Sequence, residues 1–269
     1  MLNMTVPVGV DGSSAALATY AFVPSEDAYA LGPQPAVIIV PGGGYNHISP
    51  REGEPVALRM LAEGYQAFVL DYSVAPAVYP QALRELALAV KTVRERADEL
   101  CVDPGRITVM GFSAGGHLAG LLGATWDESW LAESIGATPT AVKPDTLCLG
   151  YPVISSGRYA HRGSFERLTG ADEALAKKLS LEHMVGEGFP RTFIWHTAED
   201  GSVSVQNSLL LARALADRGI GFSLHVFPHG SHGASLATAQ TALKGRADHI
   251  QPQAQGWPEL FAAWERDGR

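Results

Sequence analysis

Three things are scarce in this sequence of 269 residues: cysteine, basic side chains and long apolar runs. The two cysteines, Cys101 and Cys148, are too few for a disulfide framework and do not have the spacing of a metal site. No apolar run approaches the ~20 residues of a membrane-spanning helix. The first residues also lack the basic and apolar regions of a signal peptide. We therefore expect a cytoplasmic protein with no disulfides, no metal site and no membrane anchor.

The balance of charge excludes two classes of partner. Lys and Arg number 20 against 28 Asp and Glu, which gives a formal net charge of -8. Such a surface repels phosphate backbones and anionic lipids, so neither nucleic acid nor membrane is an expected partner. Hydrophobic residues make up 46% of the chain, enough for one sizeable core. We expect a single domain over residues 1–269, and the sequence leaves its oligomeric state open.

Short apolar runs alternate with amphipathic stretches from about residue 36 onward. The predicted strands are 36–40, 66–70, 106–110, 146–149, 192–195 and 222–227. The predicted helices are 51–62, 80–97, 113–122 and 205–217. Strands separated by helices, with no tight hairpins between them, predict an α/β fold with a mostly parallel sheet and helices on both faces.

Two stretches depart from this alternation. The first ~30 residues lack helical spacing and predict one or two antiparallel strands at the sheet edge. About 40 residues separate the strands at 146 and 192, with a helical pattern over 171–179. Insertions of that length commonly cover a site. We interpret residues 154–190 as a small lid-like insertion.

The strongest motif is the run Gly111-Phe112-Ser113-Ala114-Gly115, which lies between a predicted strand and a predicted helix. A serine on such a sharp turn has a strained backbone, and the glycines on either side give the turn the clearance it needs. The alternative is a glycine-rich helix start selected for packing. We predict that Ser113 is a nucleophile, with the backbone N–H of Ala114 as one donor to an oxyanion.

A serine nucleophile needs an acid and a base, which in this arrangement follow it in that order on loops after later strands. Asp200 lies in the loop after the strand at 192, and Glu199 is its rival. We favour Asp200, because Gly201 lets the loop turn and Val203 can anchor it to the core. Either carboxylate could instead be an ordinary acid near the start of the next helix.

We expect the base in the loop that follows the strand at 222–227. This loop contains two histidines. His232 lies between Ser231 and Gly233, where the loop can swing back over the sheet edge. His229 directly follows Pro228 and is better suited to bracing the loop. We therefore predict His232 as the base.

The loop Pro41-Gly42-Gly43-Gly44-Tyr45 follows the first buried strand of the predicted sheet. Three consecutive glycines let backbone N–H groups turn into a pocket, as the second part of an oxyanion hole requires. An anion nest for phosphate is the alternative. No Gly-Lys-Ser/Thr follows, and there is no dinucleotide fingerprint, so a nucleotide site is not expected.

These motifs, with three further segments, carry a resemblance to a known family. The further segments are Asp71-Tyr72-Ser73-Val74-Ala75-Pro76, Tyr79-Pro80 and Tyr151-Pro152-Val153-Ile154. In this order they resemble the bacterial acetyl-esterase and feruloyl/acetyl-xylan-esterase-like α/β-hydrolases, relatives of the hormone-sensitive-lipase group. The resemblance covers roughly residues 36–235.

The resemblance implies a fold, a chemistry and a set of residues. The implied fold is an α/β-hydrolase sheet of about eight strands, and the implied chemistry is cofactor-free hydrolysis of small acyl esters, such as acetylated sugars. At the positions that correspond to the family's catalytic residues, the resemblance implies a triad of Ser113, Asp200 and His232. The implied oxyanion donors are Gly43, Gly44 and Ala114.

One position departs from the related group. The hormone-sensitive-lipase group begins this loop with His-Gly-Gly-Gly, whereas Pro41 stands in the histidine position here. The departure favours the carbohydrate-esterase branch and leaves open which hydrogen bonds support the loop.

Substrate contacts and rival activities are less constrained by the sequence. The residues expected to line the substrate pocket are Tyr45, Tyr72, Tyr159 and His161. The same triad also suits a feruloyl esterase, an arylformamidase, a small peptidase or an acyltransferase. A non-catalytic receptor is a further alternative, although such proteins usually lose a triad residue.

Overall fold

A computed structural model describes residues 2–22 and 32–268. Its centre is one eight-stranded sheet with the order β1-β2-β4-β3-β5-β6-β7-β8. The strands are β1 (Leu2–Pro7), β2 (Ala16–Ala21), β3 (Gln34–Val40), β4 (Gln66–Asp71), β5 (Val102–Phe112), β6 (Thr146–Gly150), β7 (Arg191–Thr197) and β8 (Phe222–Phe227). Strand β2 pairs antiparallel with β1 and β4, and every pairing from β4 through β8 is parallel. The predicted fold class is confirmed.

The helices fill the connections between the parallel strands. They are α1 (Glu54–Ala62), α2 (Gln81–Glu95), α3 (Ala97–Leu100), α4 (Ala114–Thr125), α5 (Ser129–Glu133), α6 (Pro139–Val142), α7 (Arg162–Thr169), α8 (Glu173–Lys178), α9 (Gln206–Asp217) and α10 (Trp257–Asp267). Short 3-10 turns occupy Pro50–Glu52, Leu181–His183 and Ala247–His249. No helix of the described residues is both long and apolar enough to cross a membrane.

The sheet separates two hydrophobic cores because successive strand residues point to opposite faces. Along β3, Ile38 and Val40 belong to the core that contains α2, α4 and α9, whereas Val37 and Ile39 belong to the core that contains α1 and α10. Both faces of the strand are therefore buried. This explains why its sequence is a continuous β-branched run rather than an alternating one.

The fold contains helices that the sequence analysis did not predict, among them the short α3, α5 and α6. The pattern over 171–179 corresponds to the shorter α8, and the insertion also contains α7, which was not predicted. The structure adds α10, whose Trp257 and Phe261 lie one turn apart and are fully buried. At the N-terminus β1 and β2 form the predicted antiparallel edge, while residues 23–31 lie outside the described residues.

The passage from β5 into α4 is closely packed at two glycines. A Cβ atom added to Gly111 would lie 2.3 Å from the carbonyl oxygen of Gly115. One added to Gly115 would lie 2.1 Å from the carbonyl oxygen of Val40 in β3. Helix α4 can therefore approach the sheet this closely only because both positions are glycine.

We predict that Gly115→Ala destabilises the protein by about 2–3 kcal/mol, because the added methyl group meets backbone that cannot move aside. Gly186→Ala is the control, since its added Cβ has no neighbour within 4 Å and it should change stability by less than about 0.5 kcal/mol. Urea unfolding of both variants measures the difference. Equal stability of the two variants would contradict the prediction.

Candidate active site

Ser113 occupies the turn between β5 and α4, with φ 54° and ψ -120°. Its N–H donates to the carbonyl of Gly150 at 3.0 Å, and its own carbonyl accepts from the N–H groups of His117 and Val153. These backbone bonds hold a conformation that a residue with a side chain rarely adopts. The hydrogen bonds therefore hold the strained serine at the carboxyl edge of the sheet, at the start of a helix.

The loops after β7 and β8 bring two further side chains to Ser113. The Oγ of Ser113 lies 2.8 Å from Nε2 of His232, and Nδ1 of His232 lies 2.7 Å from Oδ2 of Asp200. The carboxylate can only accept, so Nδ1 carries the hydrogen and Nε2 is left to accept from the serine hydroxyl. The arrangement can therefore take the serine proton during nucleophilic attack.

Asp200 is almost completely buried and receives several N–H donors. Its Oδ1 accepts from the backbone N–H groups of Ser202 and Val203, each at 2.9 Å. Its Oδ2 also lies 3.3 Å from Nε2 of His196. Burial alone raises the pKa of the Asp200 carboxyl, but the hydrogen bonds from His196 and His232 outweigh it and hold that pKa below its ordinary value of 3.8.

His196 is a site residue that the sequence reasoning missed. It lies in β7, is fully buried, and its Nε2 is also 2.9 Å from the carbonyl oxygen of Val203. Both neighbours of Nε2 are acceptors, so this nitrogen carries the hydrogen and Nδ1 accepts from the hydroxyl of Ser208 at 2.7 Å. A histidine four residues before a candidate acid, at the end of a buried strand, was the available signal.

The rival residues pair with each other, away from the serine. Nδ1 of His229 lies 2.9 Å from Oε1 of Glu199, and both side chains are more than half exposed. Neither residue lines the pocket around Ser113. The structure therefore joins Asp200 with His232 and leaves the rival pair on the surface.

The oxyanion loop adopts backbone conformations that favour glycine. Gly43 has φ 129° and Gly44 has φ 64°, and a Cβ on Gly43 would lie 1.9 Å from the carbonyl oxygen of His47. Within the described residues, the N–H groups of Gly43, Gly44 and Ala114 donate to no protein acceptor. Gly43 and Gly44 line the same pocket as Ser113. These three N–H groups are therefore available to an oxygen that becomes negative there.

The structure brings only one of the four predicted substrate contacts to the pocket, namely His161. Tyr45 and Tyr72 are buried beneath the oxyanion loop, where their hydroxyls bond Nδ1 of His117 at 2.9 Å and the carbonyl of Pro41 at 2.8 Å. Tyr159 does not line the pocket either. The structure therefore places these three tyrosines outside the pocket lining, and two of them support the loop by packing and hydrogen bonding.

The pocket at Ser113 has a volume of about 310 Å³. It is lined by Gly43, Gly44, Asn46, His47, Ser49, Arg51, Glu52, Ser113, His161, Arg167, Ser202, His232 and Gly233. None of these residues is aliphatic, and none is Phe, Tyr or Trp. His161 and Arg167 come from the insertion between β6 and β7. Among the described residues, no group of three His, Cys, Asp or Glu side chains could hold a metal ion.

The chain matches one family model and two known proteins over most of its length. Residues 25–215 match the model of the BD-FAE family. The chain is 36% identical over 230 residues to endo-1,4-beta-xylanase B of Butyrivibrio fibrisolvens, which is 82% of this chain and 36% of that protein. It is 28% identical over 211 residues to an acetylxylan esterase of Xylanibacter ruminicola, which is 76% of this chain and 42% of that protein. The chain thus spans less than half the length of these two relatives.

A solved structure shows the same architecture. The acetyl ester-xyloside bifunctional hydrolase from Caldicellulosiruptor lactoaceticus superimposes with a TM-score of 0.81 at 38% identity. The superposition covers 96% of this chain and 89% of that one. The likeness therefore extends over nearly the whole sequence.

The lowered pKa of Asp200 predicts a specific dependence of stability on pH. The ionised, hydrogen-bonded carboxylate stabilises the fold at pH values above about 4, and this contribution is lost as pH falls below that value toward the folded-state pKa. The free energy of unfolding of the wild type should therefore fall more steeply than that of Asp200→Asn between pH 5 and pH 3, by about 1 kcal/mol or more. Urea unfolding at each pH measures both. Asp98→Asn, at an exposed position, is the control, and parallel curves for wild type and Asp200→Asn would contradict the prediction.

Proposed function

Because the chain belongs to the BD-FAE family and has the α/β-hydrolase fold, we propose that it is a serine carboxylesterase that removes short acyl groups, chiefly acetyl, from carbohydrates. The observation that carries the proposal is the continuous hydrogen-bond chain from Ser113 through His232 to Asp200. We further propose that residues 154–190 form a partial lid within one domain, because this insertion contributes the side chains of His161 and Arg167 to the pocket.

The proposed reaction is acyl transfer in two steps. Nε2 of His232 takes the proton of the Ser113 hydroxyl as Oγ attacks the ester carbonyl carbon. The N–H groups of Gly43, Gly44 and Ala114 stabilise the resulting oxyanion. The protonated imidazole then gives its proton to the departing alcohol oxygen, which leaves an acyl group on Oγ.

Water then hydrolyses the acyl-enzyme, with His232 again acting first as base and then as acid. His232 takes a proton from the attacking water, a second oxyanion forms at the same donors, and Oγ leaves with the proton returned by the imidazole. The products are the free carboxylic acid and the restored serine. Throughout, Asp200 keeps the hydrogen on Nδ1 and stabilises the imidazolium that forms.

The lining of the pocket supports a small polar substrate. A long acyl chain is bound by burying its methylene groups, at about 0.8 kcal/mol each, against apolar walls. The pocket has no aliphatic side chain and no Phe, Tyr or Trp to form such a wall, whereas hydroxyl groups of a sugar find amide, hydroxyl and guanidinium partners. The names of two relatives, an acetylxylan esterase and an acetyl ester-xyloside hydrolase, support the same substrate class.

Three alanine variants test the assigned roles. Ser113→Ala and His232→Ala should each lower kcat for p-nitrophenyl acetate about 10³-fold or more, because the nucleophile or its base is removed. His229→Ala should stay within about 2-fold of wild type, since its side chain pairs with Glu199 on the surface. Full activity in Ser113→Ala would refute the proposal. A large loss in His229→Ala would refute the choice of base.

A substrate panel tests the proposed specificity. For p-nitrophenyl esters, kcat/KM should fall by about 10-fold or more from acetate to octanoate, because the longer chain gains no apolar contact. Acetylated xylo-oligosaccharides should be better substrates than methyl ferulate, N-formyl amides or peptides. Products are followed with and without excess alcohol, which separates hydrolysis from acyl transfer. Preference for octanoate or ferulate would contradict the assigned substrate class.

A further inference from the structure

A buried carboxylate outside the triad connects the loops that form the site. We propose that Glu52 is a positioning residue that holds the oxyanion loop in register with the loop of His232, acting through Tyr151. The inference rests on the proposed function, because the oxyanion hole matters only if Ser113 acylates. It also answers the question raised by Pro41, which can supply no side-chain hydrogen bond to the loop.

The first connection runs from Glu52 to the oxyanion loop. Glu52 is 3% exposed, and its Oε2 accepts from the N–H of Gly42 at 2.8 Å. A Cβ added to Gly42 would lie 2.9 Å from both that oxygen and Cβ of Ser113. The carboxylate therefore holds the loop where it lies beside the nucleophile, just before the donors of Gly43 and Gly44.

The second connection runs from Glu52 to the loop of the base. Oε1 of Glu52 accepts from the hydroxyl of Tyr151 at 2.7 Å, and the Tyr151 oxygen accepts from the N–H of Ser235 at 2.9 Å. The ring of Tyr151 also meets the imidazole of His232 edge-on, with 5.1 Å between ring centroids. The side chain of Tyr151 thus contacts the base loop at two points, one of them the base itself.

The neighbouring residue reinforces the same link. Nη1 of Arg51 donates to the carbonyls of Gly233 at 2.8 Å and Thr241 at 2.7 Å. The carbonyl of Arg51 accepts from the hydroxyl of Ser235 at 2.6 Å. Two consecutive residues of one 3-10 turn therefore bind both the oxyanion loop and the loop of His232.

The hydrogen-bond pattern at Glu52 requires a carboxylate. Both of its partners are donors, because the Tyr151 oxygen already accepts from Ser235 and must direct its own hydrogen to Glu52. A glutamine would have to offer a donor to one of these two groups and would leave a buried hydrogen unpaired. The negative charge of Glu52 by itself would disfavour a nearby oxyanion. If kcat falls when this charge is removed, the cause is therefore the altered position of the loops and not the lost electrostatic field.

Glu52→Gln and Tyr151→Phe test the proposal, with Glu265→Gln as the matched control. Glu265 is also a buried glutamate bonded to a tyrosine hydroxyl, that of Tyr65, but it lies in α10 and pairs with Arg106, away from the pocket. All three variants should lose stability. Only Glu52→Gln and Tyr151→Phe should lose kcat for p-nitrophenyl acetate, by about 10- to 100-fold, with KM changed less than about 3-fold.

Two further readouts separate positioning from general destabilisation. The Kd of a trifluoromethyl ketone analogue, which forms the oxyanion adduct, should rise in parallel with the loss of kcat/KM. Hydrogen exchange of the peptide covering residues 41–46 should be faster in Glu52→Gln and Tyr151→Phe but unchanged in Glu265→Gln.

The double variant should be little worse in kcat than Glu52→Gln alone, because the two residues act as one unit.

The outcomes distinguish this inference from the proposed function. An inactive wild type would refute the esterase, while hydrogen exchange would still test the link between the loops. Wild-type kcat and wild-type exchange in Tyr151→Phe and Glu52→Gln would overturn the positioning role. So would a loss of kcat in Glu265→Gln as large as theirs. If Glu52→Gln does not fold, Tyr151→Phe decides alone, because it removes a single oxygen atom.

Discussion

The first turn of helix α4 packs so closely against strand β3 that no side chain fits at Gly115. At Gly115 a single added carbon would lie 2.1 Å from the carbonyl oxygen of Val40. The chain turns sharply from β5 into α4 at Ser113, which has φ 54°. The serine hydroxyl is consequently held above the carboxyl edge of the sheet, where the loops after β7 and β8 also end. The parallel order of the strands makes these three loops neighbours, although they are far apart in sequence.

The polar groups that meet there form one connected system. Asp200 accepts from two backbone N–H groups and lies within reach of two histidines, of which only His232 contacts Ser113. His196 binds the carboxylate through its Nε2–H and has no hydrogen bond to Ser113. On the other side of the pocket, Glu52 joins the oxyanion loop to the base loop. Rigid placement of the donors and of the base is what electrostatic stabilisation of a transition state requires.

The sequence predicted the features that depend on local pattern, and missed those that depend on which way a loop faces. The strand ends that carry Ser113, Asp200 and His232 could be located from apolar runs and turn residues alone. Tyr45 could not be placed, because its positive φ of 56° directs the ring beneath the loop, which no pattern reveals. Arg167 reaches the pocket from the insertion only through tertiary packing. Helix α10 had a readable signal, since Trp257 and Phe261 have the spacing of one buried helical face.

We propose that the fold makes one serine of the chain, Ser113, a strong nucleophile. Treatment of the native protein with a fluorophosphonate probe, followed by mass spectrometry of the labelled peptides, tests it without any assumption about the substrate. We expect a single covalent label on the Oγ of Ser113, which forms far more slowly in His232→Ala than in wild type. A label on another residue, or equal labelling of Ser113 in wild type and His232→Ala, would contradict it.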